Sequence, residues 1–231
     1  MDPSTSIFLG LPASLWQSIG LTIALATCTT LLLGGLGLPL AQWLNTTRCR
    51  LAPLFETLVS LPVVLPPTVI GFYLLVAFAP QNPAGEIWRR IFGAPLAFSF
   101  PGLVAGSVIY SLPFAVQPFQ AALRAVPAEL LDVGRTLGAT PFRLWLYLHL
   151  RLARRGLLAG LTLSFAHTLG EFGVVLMIGG AIPGRTRVAS IALYDEMQKL
   201  NYPLAHTYAA ILLAISFLLL LTVNLLQRRA R

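Results

Sequence analysis

The stretch SLWQSIGLTIALATCTTLLLGGLGLPLAQWL, residues 14–44, contains no acidic or basic side chain. An α-helix rises about 1.5 Å per residue, so this run is long enough to cross the ~30 Å hydrocarbon core of a bilayer. Backbone polar groups in that core must be hydrogen-bonded within the segment, which predicts a helix. The run exceeds the ~7–15 residues of a signal-peptide core and follows no basic segment, so we expect a permanent span.

The composition of the whole chain agrees with a membrane protein. Charged residues make up 10% and hydrophobic residues 56% of the 231 residues, whereas soluble domains carry about 25% charged residues. The net charge of +8 comes almost wholly from arginines scattered between apolar runs, which argues against nucleic-acid binding. Cys28 and Cys49 lie at different expected depths. We therefore expect neither a disulfide nor a metal site. The sequence has no convincing Ser/His/Asp or metal-spaced cluster, so we expect no catalytic site in this chain.

Four further apolar runs follow the first. Their continuous Leu, Ala, Gly and Val stretches lack the period-2 alternation of a membrane β-barrel. We therefore predict an all-α, polytopic membrane helix bundle with about five transmembrane helices. The predicted spans are residues 14–44, 54–78, 98–119, 157–178 and 204–226.

The arginines predict the orientation. With the N-terminus outside, eleven basic residues fall on the cytoplasmic side and five on the external side, and cytoplasmic loops are the ones enriched in Lys and Arg. The C-terminus and the long loop at about 120–156 are then cytoplasmic. We expect residues 1–231 to form a single transmembrane domain with that loop projecting from it. The eleven are Arg48, Arg50, Arg124, Arg135, Arg143, Arg151, Arg154, Arg155, Arg228, Arg229 and Arg231.

The cytoplasmic loop reads as one short helix followed by the start of another. Pro127 suits a first helical position, and Glu129 and Asp132 place negative charge where the helix dipole favours it. Gly138 is a natural residue to follow the helix end, and Thr140 suits the N-cap of the next helix. The sequence therefore predicts a helix from about Pro127 to Gly138 outside the membrane.

One side of this predicted helix is apolar, which leaves two interpretations. The helix either lies on the lipid interface or docks in a groove of a partner protein. The chain has no G-x-x-x-x-G-K-[ST] loop to cradle a nucleotide phosphate. If ATP drives transport, another subunit must hydrolyse it. The apolar side consists of Leu130, Val133, Gly134 and Leu137.

The second predicted span contains Pro62, Pro66 and Pro67. Proline removes a backbone donor and kinks a helix, so the freed carbonyls need partners in protein or in a cavity. Broken helices at membrane depth often line transport pathways. A kink that serves packing alone remains the alternative.

Glu171 is the one carboxylate predicted inside a span, and an ionisable group there is a functional-site candidate by default. A bare carboxylate would repel an anion, so we expect it to be protonated or hydrogen-bonded, with a structural or gating role. His167 lies four residues earlier, where the two side chains could meet on one helix face. Such a pair could also relay protons.

On the external side, Arg185, Thr186 and Arg187 follow a Pro-Gly turn. Arginine forks suit tetrahedral oxyanions, so these residues are candidates for anion contact or receptor docking. The alternative is ordinary flanking charge, which is the interpretation we favour for Arg89 and Arg90.

The segment DVGRTLGA, residues 132–139, resembles the cytoplasmic EAA loop of permeases in binding-protein-dependent ABC importers. Three further segments are similar to the molybdate permease branch of that family. The resemblance extends over nearly the whole chain. These segments are LPVVLPPTVIG (residues 61–71), LGEFG (169–173) and IPGRT (182–186).

The resemblance implies a type I importer permease fold in the bacterial inner membrane that translocates molybdate or tungstate. It implies a homodimer with two ATPase subunits, which use ATP and Mg, and an external binding protein; this chain would bind no cofactor. Its ATPase-coupling residues would be Glu129, Asp132, Gly134, Arg135, Gly138 and Thr140. Its pathway or gate residues would be Pro62, Pro66, Pro67, Thr68, His167, Gly170, Glu171 and Gly173.

The chain departs from the family pattern at several positions. Asp132 stands where glutamate is usual, Val133 and Gly134 replace two alanines, and Arg151 and Arg155 occupy positions where prolines usually follow. The fold and partners could also serve sulfate or thiosulfate. A proton-coupled secondary anion transporter using His167 and Glu171 is the rival class, although relatives usually carry arginine in place of His167. A structural membrane protein would leave the kinked helix and the loop unexplained.

Overall fold

The structure is a computed structural model that describes residues 7–8 and 11–229. Helices dominate the described residues, so the predicted all-α architecture is confirmed. Strands β1 (Ile7–Phe8) and β2 (Leu11–Pro12) form a short antiparallel pair ahead of the first helix. The helices are α1 (Ala13–Thr46), α2 (Ala52–Val64), α3 (Pro67–Phe78), α4 (Pro83–Phe92), α5 (Phe100–Arg124), α6 (Ala128–Thr136), α7 (Pro141–Arg143), a π-helix (Leu144–His149), α8 (Leu150–Leu169), α9 (Gly173–Gly179), α10 (Ala189–Gln198) and α11 (Tyr202–Arg229).

Three described helices are long and apolar enough to cross a membrane unaided, namely α1, α5 and residues 202–223 of α11. Two bent helix pairs account for the other two predicted spans. The fourth span begins earlier than predicted, because α8 extends into the segment with Arg151 and Arg155. Both arginines are exposed, and they lie on the part of α8 that precedes its apolar residues.

The pair α2 and α3 bends by 116° between Val64 and Pro67. Pro66 and Pro67 lack the N–H groups that would continue α2, and Leu65 adopts the extended conformation that a following proline imposes. Pro67 then occupies the first position of α3, where its missing donor costs nothing. Pro62, in contrast, stays buried within α2 and makes no break. The predicted kink is therefore localised to the second and third prolines.

The pair α8 and α9 bends by 60° across Gly170, Glu171 and Phe172. Gly170 ends α8 and Gly173 begins α9, and glycine is the weakest helix former after proline. A short non-helical segment thus interrupts the fourth predicted span, which sequence analysis treated as continuous.

The packing of α1 on α5 decides how the bent pair α2–α3 runs. Leu25 and Leu103 share one core cluster, and a Cβ built on Gly37 would lie 3.6 Å from Val116. Residue numbers rise together along the two helices, so α1 and α5 are parallel. The chain between them must therefore return across the membrane, and α2–α3 is a broken crossing rather than a loop that re-emerges on the same side.

The helix α8 runs antiparallel to α5. A Cβ built on Gly156 would lie 2.4 Å from that of Ala122, whereas Ser111 and Thr168 hydroxyls lie 3.1 Å apart at the other end of the contact. Close approach of small residues is how membrane helices associate without a hydrophobic driving force. With α11 as the last span, the described helices account for five crossings, so the first and last spans run in the same direction.

The two sides can be assigned from the arginines. Thr46, Arg124 and α6 lie at one end of the bundle, together with most of the basic residues, so this end is cytoplasmic. Arg185 and Arg187 lie at the opposite, external end. Of the arginines counted for the cytoplasmic side, Arg231 lies outside the described residues, as do residues 1–6 of the predicted external N-terminus.

The tightest core lies where α1, α5 and α8 meet. Leu33, Val116 and Phe119 are almost wholly buried there. A Cβ built on Gly160 would come within 2.8 Å of the Phe119 ring, so the glycine allows the ring to fill the space between the helices. Overpacking of this kind typically costs about 1–3 kcal/mol.

Candidate functional site

The two helix breaks meet inside the bundle. A Cβ built on Gly173 at the start of α9 would lie 2.7 Å from the Cβ of Pro67 at the start of α3. One turn further, a Cβ on Gly71 would lie 2.8 Å from Met177. We call the segments 65–67 and 170–173, with the α5 side chains that face them, the break junction. It brings together predicted pathway residues that are far apart in sequence.

Polar side chains of α5 and α8 line one side of the break junction. The Ser111 hydroxyl lies 2.9 Å from Nδ1 of His167 and 3.1 Å from the Thr168 hydroxyl. Thr168 also donates to the Ser164 carbonyl at 3.0 Å. Hydrogen bonds between helices hold them at a fixed register, each contributing roughly 0.6 kcal/mol in membranes.

His167 contacts two aromatic rings of α5. Its ring stacks on Phe114 with centroids 3.9 Å apart and lies 4.8 Å from the ring of Tyr110. With Nδ1 held by Ser111, the imidazole is restrained by one stacked ring, one tilted ring and a hydrogen bond. Phe114, Tyr110 and Ser111 were missed by sequence analysis because nothing in α5 itself marks them; only the position of α8 does.

Glu171 lies within the break, with 3% of its surface exposed. Neither carboxyl oxygen has a hydrogen-bond partner among the described residues. The Ser107 hydroxyl lies nearby, but it too lacks a hydrogen bond of acceptable geometry. Buried polar groups are rarely left without partners, so this carboxyl is an exception among the described residues.

Among the described residues, no hydrogen bond joins the Glu171 carboxyl to His167, which sequence analysis placed on one helix face. α8 ends at Leu169, so Glu171 no longer follows the helical spacing that would place it over His167. Instead its backbone is fixed: the Ser190 hydroxyl donates to the Glu171 carbonyl at 2.6 Å, and the Glu171 N–H donates to the Thr168 carbonyl at 3.3 Å. The described hydrogen bonds therefore give no support to a direct proton relay between the two side chains.

At the cytoplasmic end, α6 has the predicted caps. Gly138 has a φ of +79°, and it follows the end of α6 as expected. Its N–H donates to the Arg135 carbonyl at 2.9 Å and the Ala139 N–H donates to Gly134 at 3.1 Å, which is the Schellman pattern. Thr140 caps the next helix with its side chain, as predicted. Pro127, however, is the N-cap of α6 rather than its first helical residue.

The apolar side of α6 is uncovered. Leu130, Val133 and Leu137 are exposed, Leu137 to 81%, and α6 has no buried residue. Gly134 faces inward, where a Cβ would lie 2.3 Å from the Leu144 side chain of the π-helix. Glu129 lies in the first turn, and Asp132 pairs with Arg135 at 2.5 Å. α6 therefore rests on the π-helix that leads into α8 and presents apolar side chains outward.

The three external candidate residues have different surroundings. Thr186 is fully buried, and its hydroxyl donates to the Gly179 carbonyl at 2.7 Å. Arg187 is held by Asp195 at 2.8 Å and Glu196 at 3.2 Å. Both side chains are occupied within the protein, so the prediction that they contact an external anion does not fit this structure. Arg185 is exposed and makes no ion pair among the described residues.

These features can be compared with known proteins. The sequence family of binding-protein-dependent transport system inner membrane components matches residues 34–231, which include every candidate residue above. The chain belongs to this family. It is therefore a multi-pass subunit of the inner membrane, and the fold, with its two broken crossings, is that of the permease component.

Two curated permeases and one solved structure are similar to this chain. The molybdenum transport system permease protein ModB of Azotobacter vinelandii is 46% identical over 88% of this chain and 90% of its own length. The sulfate transport system permease protein CysT of Escherichia coli is 33% identical over 90% and 75%, respectively. A bacterial ABC transporter involved in alginate import has the same fold, with a TM-score of 0.76 and 16% identity over 93% of this chain and 79% of that one.

The permease also has a polar cluster that sequence analysis did not find, between α1, α2 and α5 at the cytoplasmic end. Arg124 donates to Asn45 at 2.7 Å and pairs with Glu56 at 3.3 Å. Gln120 donates to the same carboxylate at 3.3 Å, and Gln117 donates to Ser60 at 3.1 Å. Gln117, Gln120 and Arg124 recur at helical spacing on α5, which was the available signal. The cluster fixes the start of the broken crossing against its neighbours.

An ion-pair cluster at the external end of the permease has Glu196 at its centre, paired with Arg187 and Lys199. Burial alone would raise the pKa of the Glu196 carboxyl, but hydrogen bonds from Lys199, Asn201 and Arg187 outweigh burial and hold the pKa below its usual value. Lys199 and Asn201 lie 3.0 and 2.9 Å from the carboxylate oxygens. The cluster links the loop after α9 to the turn between α10 and α11.

Proposed function

We propose that this permease translocates molybdate, and its close analogue tungstate, across the inner membrane. The observation that carries the proposal is the 46% identity to a molybdenum permease over nearly the whole of both proteins. The sulfate permease is less similar, at 33%. Molybdate, tungstate and sulfate are all tetrahedral dianions, so one path of similar shape could admit each of them.

The second part of the proposal concerns the energy source. The uncovered apolar side of α6, built from Leu130, Val133 and Leu137, is a surface for docking on an ATPase subunit. That subunit would use ATP and Mg. Because Gly134 packs against Leu144 of the π-helix, a push on α6 would reach α8 and the break junction directly. Glu129, Asp132, Arg135, Gly138 and Thr140 shape and cap this segment.

The third part concerns assembly and pathway. We expect two copies of the permease to form a homodimer, with the translocation path between them and an external binding protein delivering the anion. The family description itself names dependence on a binding protein. The break junction, with Pro66, Pro67, Gly170 and Gly173, supplies the non-helical backbone that transport pathways use at membrane depth. Pro62, Thr68, His167 and Glu171 complete the set of pathway or gate residues.

Uptake of radiolabelled molybdate tests the proposal. The permease would be reconstituted in vesicles with its ATPase and binding protein, with ATP enclosed on the cytoplasmic side. We expect ATP-dependent uptake that unlabelled tungstate suppresses at concentrations where sulfate has little effect. Vesicles without ATP and vesicles without the binding protein serve as controls.

Each alternative function predicts a different result in the same assay. Stronger competition by sulfate than by tungstate would identify a sulfate permease, which the CysT similarity makes the second candidate. Uptake that proceeds without the ATPase when a proton gradient is imposed would contradict the importer mechanism and favour a proton-coupled carrier. No hydrogen bond joins His167 to Glu171 among the described residues, which speaks against that carrier.

A further inference from the structure

Two neighbouring cavities open at the external end of the bundle, on either side of Arg185. The larger, of 710 Å³, is walled by the end of α3 and the segment 94–99. The smaller, of 480 Å³, is walled by α4, by Leu21 of α1 and by the start of α5. Ala94, Pro95, Ser99 and Arg185 line both cavities. We call this pair of cavities the Arg185 groove.

Arg185 is the one charged side chain among the residues that line the groove. Most of the other external cations are neutralised: Arg90 pairs with Glu86, and Arg187 and Lys199 pair with acidic residues of α10. Two polar neighbours of Arg185 in the groove are also occupied, because Ser99 donates to Leu96 and Asn82 donates to Val76. Gln81 is the further polar side chain that lines the larger cavity, and it carries no charge. The groove therefore combines apolar walls with one unneutralised guanidinium.

The length of α1 indicates that the groove lies near the level of the lipid phosphates. A Cβ built on Gly184, next to Arg185, would lie 3.9 Å from the side chain of Gln17 in α1. From Gln17 to Thr46 at the cytoplasmic end, α1 extends about 44 Å, which matches the ~40–45 Å thickness of a bilayer with its headgroups. Arg48 and Arg50 follow immediately on the cytoplasmic side.

The helix α4 extends the apolar surface of the groove outward. Ile87 and Ile91 lie one turn apart and are 58% and 68% exposed, and Trp88 stacks on Phe92 at 4.0 Å where both line the smaller cavity. Apolar and aromatic side chains on one side of a short helix, with Arg89 and Arg90 beside them, are typical of helices lying in the membrane interface.

We propose that the Arg185 groove binds an anionic phospholipid of the outer leaflet, with the phosphate on the Arg185 guanidinium and the glycerol and acyl portions along the apolar walls. A free oxyanion would satisfy the guanidinium but would leave the apolar walls unused. An amphiphile uses both, and α4 places the groove where lipid is the surrounding solvent. This site is separate from the break junction and from transport itself.

Lipid counting by native mass spectrometry tests the proposal on the full-length permease. Protein in a lipid-free detergent would be titrated with phosphatidylglycerol or phosphatidylcholine of identical acyl chains. We expect the wild type to retain phosphatidylglycerol preferentially, and Arg185→Gln to weaken that binding about fivefold, the effect of one cation near a charged lipid surface. Arg89→Gln is the matched control, because Arg89 is exposed, makes no ion pair among the described residues and does not line the groove.

A second variant tests the contribution of the apolar walls to lipid binding independently of the Arg185 charge. Ala94 lines both cavities, so Ala94→Trp would place an indole ring where they adjoin and keep the guanidinium. It should weaken the binding of either lipid, and size-exclusion profiles would confirm that each variant is folded. Equal loss in Arg185→Gln and Arg89→Gln, or no preference for phosphatidylglycerol, would overturn the proposal. So would unchanged lipid retention accompanied by weaker capture of the external binding protein, which would make the groove a protein interface. Uptake assays are not involved, so failure of the molybdate proposal leaves this test intact.

Discussion

At the scale of single residues, substitutions of Glu171 test the break junction most specifically. No cation lies within hydrogen-bonding distance of its carboxyl oxygens among the described residues, so replacing the charge breaks no ion pair. We expect Glu171→Gln, which keeps the shape, to retain molybdate uptake within about twofold. Glu171→Ala leaves a cavity between α5 and the break and should cost about 1–3 kcal/mol of stability.

Uptake and thermal unfolding of these two variants check the prediction. Glu171→Asp is a useful third variant, because it keeps the charge but withdraws it by one methylene. Loss of uptake in Glu171→Gln with normal stability would mean that transport requires the ionised carboxylate, and it would revive the proton-relay hypothesis.

Glu196 gives a prediction about pH at the same scale. Because its pKa is lowered in the folded protein, the carboxylate stabilises the fold at pH values above the unfolded-state pKa of about 4.3. This contribution is lost as the pH falls through the lower, folded-state value. The melting temperature of the wild type should therefore exceed that of Glu196→Gln at pH 7, and the difference should shrink below about pH 4. A difference that stays constant down to acidic pH would show that Arg187, Lys199 and Asn201 do not act through the charge of Glu196.

At the scale of elements, the cap of α6 tests the coupling segment. With φ at +79° and no atom within 4 Å of a built Cβ, Gly138 is required for its backbone conformation and not for space. Gly138→Val should cost about 1–2 kcal/mol and loosen α6. Gly138→Asn should be milder, because asparagine adopts the left-handed conformation more readily.

Co-purification of the ATPase subunit and uptake measure this effect. We expect Gly138→Val to lose the ATPase or to uncouple its hydrolysis from transport, while Gly138→Asn keeps both in part. If Gly138→Val reaches the membrane and imports normally, the role of α6 in coupling is refuted.

The break junction gives a second element-scale prediction, with a matched pair of glycines. A methyl group on Gly173 would clash with Pro67 at 2.7 Å, whereas the nearest atom to a methyl group on Gly170 is the His167 carbonyl at 3.9 Å. Gly173→Ala should therefore cost about 1–3 kcal/mol and reduce uptake, and Gly170→Ala should be nearly neutral. The melting temperatures of both variants in the same detergent test this prediction. Equal losses of stability would mean that the contact between α3 and α9 is not rigid.

The predictions made from the sequence agree with the structure where a few neighbouring residues determine the local conformation. Runs of apolar residues mark the spans, and Gly138 and Thr140 mark helix ends, because each signal depends on a few neighbouring residues. The contacts of Glu171 and Arg187 could not be predicted in the same way. Extending the helical period through Gly170 misplaced Glu171, and the partners of Arg187 lie on α10, whose position follows from tertiary packing.

At the scale of the whole molecule, the parallel packing of α1 and α5 requires α2–α3 to cross the membrane despite its 116° bend. Cys49 follows α1 and is exposed, so it should be cytoplasmic, whereas Arg89 in α4 should be external. A membrane-impermeant thiol reagent added to intact spheroplasts should therefore leave Cys49 unlabelled. In a Cys49→Ser background, Arg89→Cys should be labelled, and permeabilisation should expose Cys49 in the wild type. If α2–α3 instead returned to the same side, positions 49 and 89 would respond alike, both labelled in intact spheroplasts or both labelled only after permeabilisation. The five-crossing topology, the external position of the Arg185 groove and the cytoplasmic position of α6 could then not all be correct.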